Sequence, residues 1–365
     1  MEKFAFVLHP IYHSDILRKY PFFKNCPESV LKSVFKRFPP FKVSYIEGVK
    51  TPHNEAEGWF VGCPLSSDQI LTLSEDYVLS KIIQTGKKAE RLGANILGLG
   101  ALTSVVGDAG ITIAKNLNIP VTTGNSYTVA TAIDGVKDAS KMMGYDYKNC
   151  HIAVLGASGS IGKVVARKFA EDVRWLTLLG KNQKRLEQVS DSIYDDTGLA
   201  AKVSTNIKRS LSEVDIIIAV TGSADAVITG EELKPGAIVC DVARPRDVSW
   251  RVAKNRDDIL VIEGGVVEVP GEVEFNFNFG FPKKTAYACM AETMILALEQ
   301  KYESFTLGRE LTVKQVDEIS RLAKKHGFKL AGLRSFERAI SQENIQRIKQ
   351  NALKNKKQEN VISKT

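Results

Sequence analysis

Short apolar runs alternate along the chain with stretches whose apolar positions recur at helical spacing, the pattern of α/β folds. The N-terminal "KFAFVL" predicts a strand, and "SDILRKY" and "SVLKSVFKRF" predict helical pieces around a proline-containing stretch. "LSEDYVLSKIIQTGKKAERLG" predicts an amphipathic helix closed by Gly93. Two short strands follow, "NILGLG" and "IPVTTG", separated by the helical "DAGITIAKNLN", and then a longer helix, "SYTVATAIDGVKDASKMMG". The loops "GALTS" and "TTGNS" fall at the C-terminal ends of these strands, the edge where open α/β sheets bind ligands.

A clearer unit begins at "HIAVLGASGSIGKVVARKFAEDVRWLTLLGKNQKRL". A β-branched strand runs into Gly156, Gly159 and Gly162, a helix starts before the last of these, and a second strand follows. Glycines in that context permit a tight turn and let backbone N–H groups reach a pyrophosphate at the helix start. The predicted cofactor-binding residues there are Gly156, Ser158, Gly159, Ser160, Ile161 and Gly162. "AKVST", "DIIIAV", "AIVCDV" and "ILVIEGG" supply the remaining strands of a doubly wound domain. Thr221 and Gly222, after "DIIIAV", are expected near the nicotinamide end.

The end of the second strand carries no carboxylate, the usual partner of a ribose 2′-hydroxyl in NAD sites. Lys181, Lys184 and Arg185 stand there instead, which predicts NADP(H) through charge-assisted contacts with a 2′-phosphate.

Composition narrows the remaining classes. The 365 residues are 44% hydrophobic and 25% charged, ordinary globular usage for about two domains. Five scattered cysteines show neither zinc nor CxxC spacing, and five histidines show no paired-ligand spacing, so no metal is expected. The N-terminus reads as no signal peptide and no run is long enough for a membrane span, so a cytoplasmic protein is expected. From Arg309 onward fourteen Lys and Arg face six Asp and Glu, which accounts for the whole net charge of +8. Without interleaved aromatics this excess argues against nucleic acid. It leaves a solvated helical face or an acidic protein partner, with Arg321, Lys324 and Lys325 as the docking candidates.

"FPKKTAYACMAETMILALEQ" poses the chemical question. Pro282 and two lysines predict a helix start there, with Cys289 inside its first two turns. By itself Cys289 reads either as a packing residue or as a thiolate favoured by Lys283, Lys284 and the helix end. Glu268 and Glu292 are candidate proton donors or orienting groups, and either could be purely structural. Thr123 and Asn125, at a predicted helix start, could bind a carbonyl, and Asn125 could equally be an N-cap.

"LGLGALTSVV", "VTTGNSYTVA", "VLGASGSIG", "EGGVVE", "YACMAETMILALE" and "FTLGRELTVKQVDEI", in this order, resemble the long-chain acyl-[acyl-carrier-protein] reductases of the fatty-aldehyde-forming, cyanobacterial type. The resemblance implies NADPH-dependent reduction of a fatty acyl thioester, carried by acyl-carrier protein or CoA, through a nucleophilic Cys289. Tyr127 and Lys181 depart from the family pattern, which has histidine and arginine there. Two other readings stand beside it, a shikimate-type NADP-dependent alcohol dehydrogenase and a non-catalytic NADP-binding regulatory protein. The expected organisation is an α/β substrate domain (1–145), an NADP-binding Rossmann domain (146–270), a helical segment carrying the cysteine (271–343) and a disordered basic tail (344–365).

Overall fold

The computed structural model describes residues 1–10, 26–223, 226–243, 246–278 and 280–362. The predicted helix at "SDILRKY" lies outside the described residues. The chain divides into two compact units rather than the four expected segments. Residues 1–127, 268–310 and 318–329 form the first, and 128–267, 311–317 and 330–365 the second. The stretch 271–343 is therefore no separate helical segment, because both units draw on it.

The first unit is built on a six-stranded sheet. Its parallel part contains Glu2–Leu8 (β1), Glu55–Gly62 (β3), Ile96–Gly98 (β4) and Val121–Thr122 (β5), and Phe41–Lys50 (β2) runs antiparallel to β3. A strand from far along the chain, Gly271–Glu274, closes the β2 edge. The β2–β3 hairpin escaped the periodicity reading. β2 is only partly buried and has shifts in register, and its alternation is correspondingly weak. Helix α1 (Glu75–Arg91) covers one face with Val78, Leu79 and Ile82 buried, and the chain reverses at Gly93, whose φ of 92° needs no Cβ.

Helix α2 (Asn125–Met143) begins in the first unit and continues into the second. The second unit holds an all-parallel six-stranded sheet. Its strands are His151–Leu155 (β6), Trp175–Leu179 (β7), Lys202–Ser204 (β8), Ile216–Ala219 (β9), Ile238–Asp241 (β10) and Leu260–Glu263 (β11). The order β11-β10-β9-β6-β7-β8 is that of a doubly wound Rossmann sheet, as the sequence predicts. β6, β9, β10 and β11 are buried almost throughout, so they read as continuous apolar runs and not as alternations. Helices α3 (Ser160–Ala170) and α4 (Gln183–Thr197) follow β6 and β7.

The C-terminal tail corrects an expectation. Residues Gln342–Ile362 form a helix, described below as α7, and not a disordered extension. Ile345 and Ala352 are buried, Asn351 Nδ2 bonds Asp257, and Asn355 Nδ2 donates to Asp258 Oδ2 at 3.0 Å. The amphipathic spacing was present, but the polar composition concealed how few apolar anchors a docked helix needs.

Candidate active site

The cysteine-bearing helix starts later than the sequence suggests. Residues Thr285–Tyr287 form a short strand, and helix α5 spans Ala288–Leu298 with Tyr287 as its N-cap residue. Cys289 is thus the second residue of the helix. Its side chain stands at the end where unsatisfied N–H groups and the helix dipole favour negative charge. Lys283 and Lys284 both stand beside carboxylates. Lys284 Nζ lies 2.6 Å from Glu272 and Lys283 Nζ 3.8 Å from Glu274, so each cation has a carboxylate partner.

The cysteines differ sharply in environment, and none forms a disulfide. Cys63 and Cys240 are fully buried, whereas Cys289 is half-buried. Burial pushes the Cys63 thiol above its ordinary range, and burial together with the Asp215 charge pushes Cys150 up to about 11. Both are poor thiolates.

The turn after β5 is seated on Cys289. Gly124 has φ of 77°, and a Cβ placed on it would fall 2.3 Å from Cys289 Cα and 2.4 Å from Cys289 Cβ. Only a residue without a side chain permits this approach. Sequence reasoning picks out its neighbours and misses Gly124 itself. The available signal was a glycine between two polar residues at a strand end.

Thr123 is buried, its N–H donates to the carbonyl of Thr306 at 2.9 Å, and its hydroxyl donates to Thr306 Oγ1 at 3.2 Å. That engagement points it away from the expected carbonyl-binding role. Asn125 is the first residue of α2 and not its N-cap, and it is half-buried.

Glu292 and Glu268 separate. Glu292 is 0% exposed, and its carboxylate accepts from Thr122, Ser126 and Thr306 hydroxyls and from the Tyr127 N–H. A carboxylate gathered in this way is placed to orient its neighbours, the second of the two roles the sequence offers for it. Glu268 is exposed at the end of the strand Val266–Glu268.

In the second unit the glycine turn has the geometry of a phosphate cradle. Gly156 follows β6 with φ of 91°, and a Cβ on it would lie 2.9 Å from the Val220 carbonyl oxygen. A Cβ on Gly162 would lie 2.2 Å from the Gly156 carbonyl oxygen, so helix and turn pack backbone to backbone. α3 opens at Ser160 behind Gly159, which supplies no side-chain cap. The Ser160 hydroxyl is buried without a hydrogen-bond partner. An uncapped helix start, a backbone surface and an orphaned hydroxyl fit a bound pyrophosphate, with Ser158 and Ile161 half-buried beside them.

Lys181, Lys184 and Arg185 are exposed around the start of α4, whose first turn holds no acidic residue. Asn182 caps that helix by accepting from the Arg185 N–H. Thr221 donates its N–H at 2.7 Å and its hydroxyl to buried Asp247, a partner that sequence reasoning did not find. Burial raises the Asp247 carboxyl above its usual range, opposed by these two Thr221 bonds. A Cβ on Gly222 would meet nothing within 4 Å, so no steric demand explains that glycine.

Of the basic docking candidates, Arg321 and Lys324 are exposed on helix α6 (Val313–His326), but Lys325 is paired with Glu299 at 2.7 Å. Among the described residues no helix is long and apolar enough to cross a membrane.

Residues 137–262 match the shikimate/quinate 5-dehydrogenase family. Over 363 residues, 95% of this chain, the sequence is 29% identical to the aminotransferase PigE of a Serratia strain, and the match spans 42% of that protein. It is 27% identical over 263 residues to the long-chain acyl-[acyl-carrier-protein] reductase of Synechococcus elongatus, covering 68% of this chain and 75% of that one. It is 25% identical over 225 residues to the glutamyl-tRNA reductase of Bacillus cereus, covering 59% of this chain and 47% of that one. The chain therefore spans less than half the length of two of these three relatives. Together with the glycine turn, these similarities mark an NAD(P)-dependent oxidoreductase-type Rossmann domain, related to the two reductases.

Proposed function

We propose that the protein reduces an acyl thioester to an aldehyde with NADPH, through an acyl intermediate on Cys289. The observation that carries this reading is a half-buried cysteine at the second position of a helix, with the Gly124 backbone against it. Thiolate is the reactive form, and a helix N-terminus favours it. The Cys289 sulfur attacks the thioester carbonyl carbon, and the carbon–sulfur bond to the carrier breaks. The departing thiolate takes a proton from solvent and leaves the acyl group on Cys289. When bound, NADPH supplies the hydride that takes this acyl group to the aldehyde and releases the Cys289 thiolate.

The cofactor half of the proposal rests on the glycine turn and on charge. The Ser160 hydroxyl and the first turn of α3 would hold the pyrophosphate. Lys181, Lys184 and Arg185 would hold the 2′-phosphate. Cations in the first turn of a helix oppose its dipole, each by about 0.3–1 kcal/mol, and a bound phosphate reverses the sign of that term. The similarity to the cyanobacterial reductase supports a fatty acyl substrate, with acyl-carrier protein as the natural carrier and CoA as an alternative. The PigE match supports no transamination by this chain, since more than half of that protein lies outside it.

A shikimate-type alcohol dehydrogenase is favoured by the family match over 137–262, which concerns the cofactor domain alone. One experiment separates the two. The protein is incubated with NADPH and long-chain acyl-CoA or acyl-carrier-protein thioesters, and aldehyde is measured directly. Without NADPH, mass spectrometry should find the acyl group on Cys289, and Cys289→Ala should make no aldehyde while still binding NADPH. Acylation at another cysteine, or full activity of the alanine variant, sinks the assignment.

A further inference from the structure

The Glu292 carboxylate lies one helical turn beyond Cys289 and gathers donors from separate parts of the first unit. Oε1 accepts from Thr122 Oγ1 at 2.5 Å and Thr306 Oγ1 at 2.7 Å. Oε2 accepts from Ser126 Oγ at 2.5 Å and the Tyr127 N–H at 3.0 Å. A proton count orders the network. Each hydroxyl has one proton, and Thr122 and Thr306 both give theirs to the carboxylate. Thr306 Oγ1 is then free to accept from Thr123 Oγ1 at 3.2 Å, and Thr122 Oγ1 to accept from the Thr306 N–H at 3.3 Å.

The donors bracket the nucleophile's neighbour. Thr122 and Thr123 precede Gly124, Ser126 and Tyr127 follow it, and the backbone of Gly124 is what touches Cys289. Thr306 arrives from a segment 14 residues beyond Glu292 and ties down both threonines. A neutral amide at 292 would have to turn its NH₂ to the Oε1 side, away from the donor-only Tyr127 N–H, and reverse the Thr122 and Thr306 hydroxyls.

We infer that Glu292 and Thr306 are positioning residues that hold the 122–127 turn against Cys289 and so set the geometry in which its sulfur reacts. The catalytic consequence rests on the acyl-thioester reading above. Both act through Gly124.

Thr306→Val tests this without altering the charge near the sulfur, and Thr306→Ser restores the hydroxyl. Cys289 acylation by palmitoyl-CoA is followed without NADPH, alongside iodoacetamide alkylation of Cys289 from pH 5 to 10. Thr306→Val should lower the maximal acylation rate at least tenfold with the half-saturating thioester concentration within about twofold of wild type. It should also move the alkylation midpoint by about half a pH unit or more. Thr306→Ser should return both to near wild type, and NADPH affinity should stay unchanged throughout. If Thr306→Val does not fold, Ser126→Ala removes a different donor from the same carboxylate and takes its place. A folded variant that acylates at the wild-type rate overturns the inference. If wild type forms no acyl adduct, the substrate reading has failed, and the alkylation profiles alone decide. Superimposable profiles then reject the positioning role.

Discussion

The backbone of Gly124 lies so close to Cys289 that a Cβ at position 124 would sit 2.3 Å from the cysteine Cα. The contact joins the end of β5 to the first turn of α5. It makes a glycine backbone an immediate neighbour of the proposed nucleophile.

Gly124→Ala should therefore be severe. The positive φ costs an alanine about 1–2 kcal/mol, and the overlap with helix backbone forces the turn to move. Acylation of Cys289 should fall about a hundredfold or more, whereas NADPH affinity, which depends on the glycine turn of the other unit, should hold. Stopped-flow acylation and cofactor fluorescence titration read the two separately. Wild-type acylation by the alanine variant would show that the turn does not set the geometry.

Cofactor choice should follow the cations at the start of α4. Lys181→Glu should weaken NADPH by about ten- to a hundredfold, because a charge-assisted hydrogen bond to the 2′-phosphate gives way to a repulsion, and leave NADH nearly unchanged. Titration of both cofactors against wild type and variant checks this. Equal wild-type affinity for the two would contradict recognition of a 2′-phosphate.

Docking of α7 should depend on pH through Asp258. Burial pushes its carboxyl upward, but hydrogen bonds from Arg256 and Asn355 and the Arg256 charge outweigh burial and hold it below the usual range. A depressed carboxylate stabilises the fold fully above the unfolded-state value of about 3.9, and that stability is lost as pH falls through the folded value. The difference in Tm between wild type and Asp258→Asn should be constant from pH 7 to about 5 and shrink below about 4. A gap that persists into strong acid would assign the effect to packing. Truncation after Ser341, which strips out buried Ile345 and Ala352, should lower stability by about 2–4 kcal/mol.

Parts of the site were legible because they are local. Gly156 and Gly162 sit between a strand and a helix, and their need for a positive φ or a close backbone approach arises within seven residues of chain. The absence of an acid after β7 is equally local. Cys289 stands out in the sequence as the residue to weigh, but the pattern begins its helix six residues early, at Pro282. A proline followed by lysines reads as a helix start, while the strand Thr285–Tyr287 and the Val269 N–H that bonds the Lys284 carbonyl depend on distant chain. The lysines' carboxylate partners were hidden for the same reason, because Glu272 and Glu274 reach them through the edge strand.

Alternation and glycine spacing determined the α/β class, the doubly wound domain and the place of the phosphate turn, because each follows from interactions within a few residues. Tertiary structure alone decided what surrounds the cysteine. Thr122, Ser126, Glu292 and Thr306 are unremarkable polar residues in sequence, up to 184 positions apart. They become one network only when burial leaves each hydroxyl and carboxylate oxygen no water to bond, so that every donor must find an acceptor within the fold.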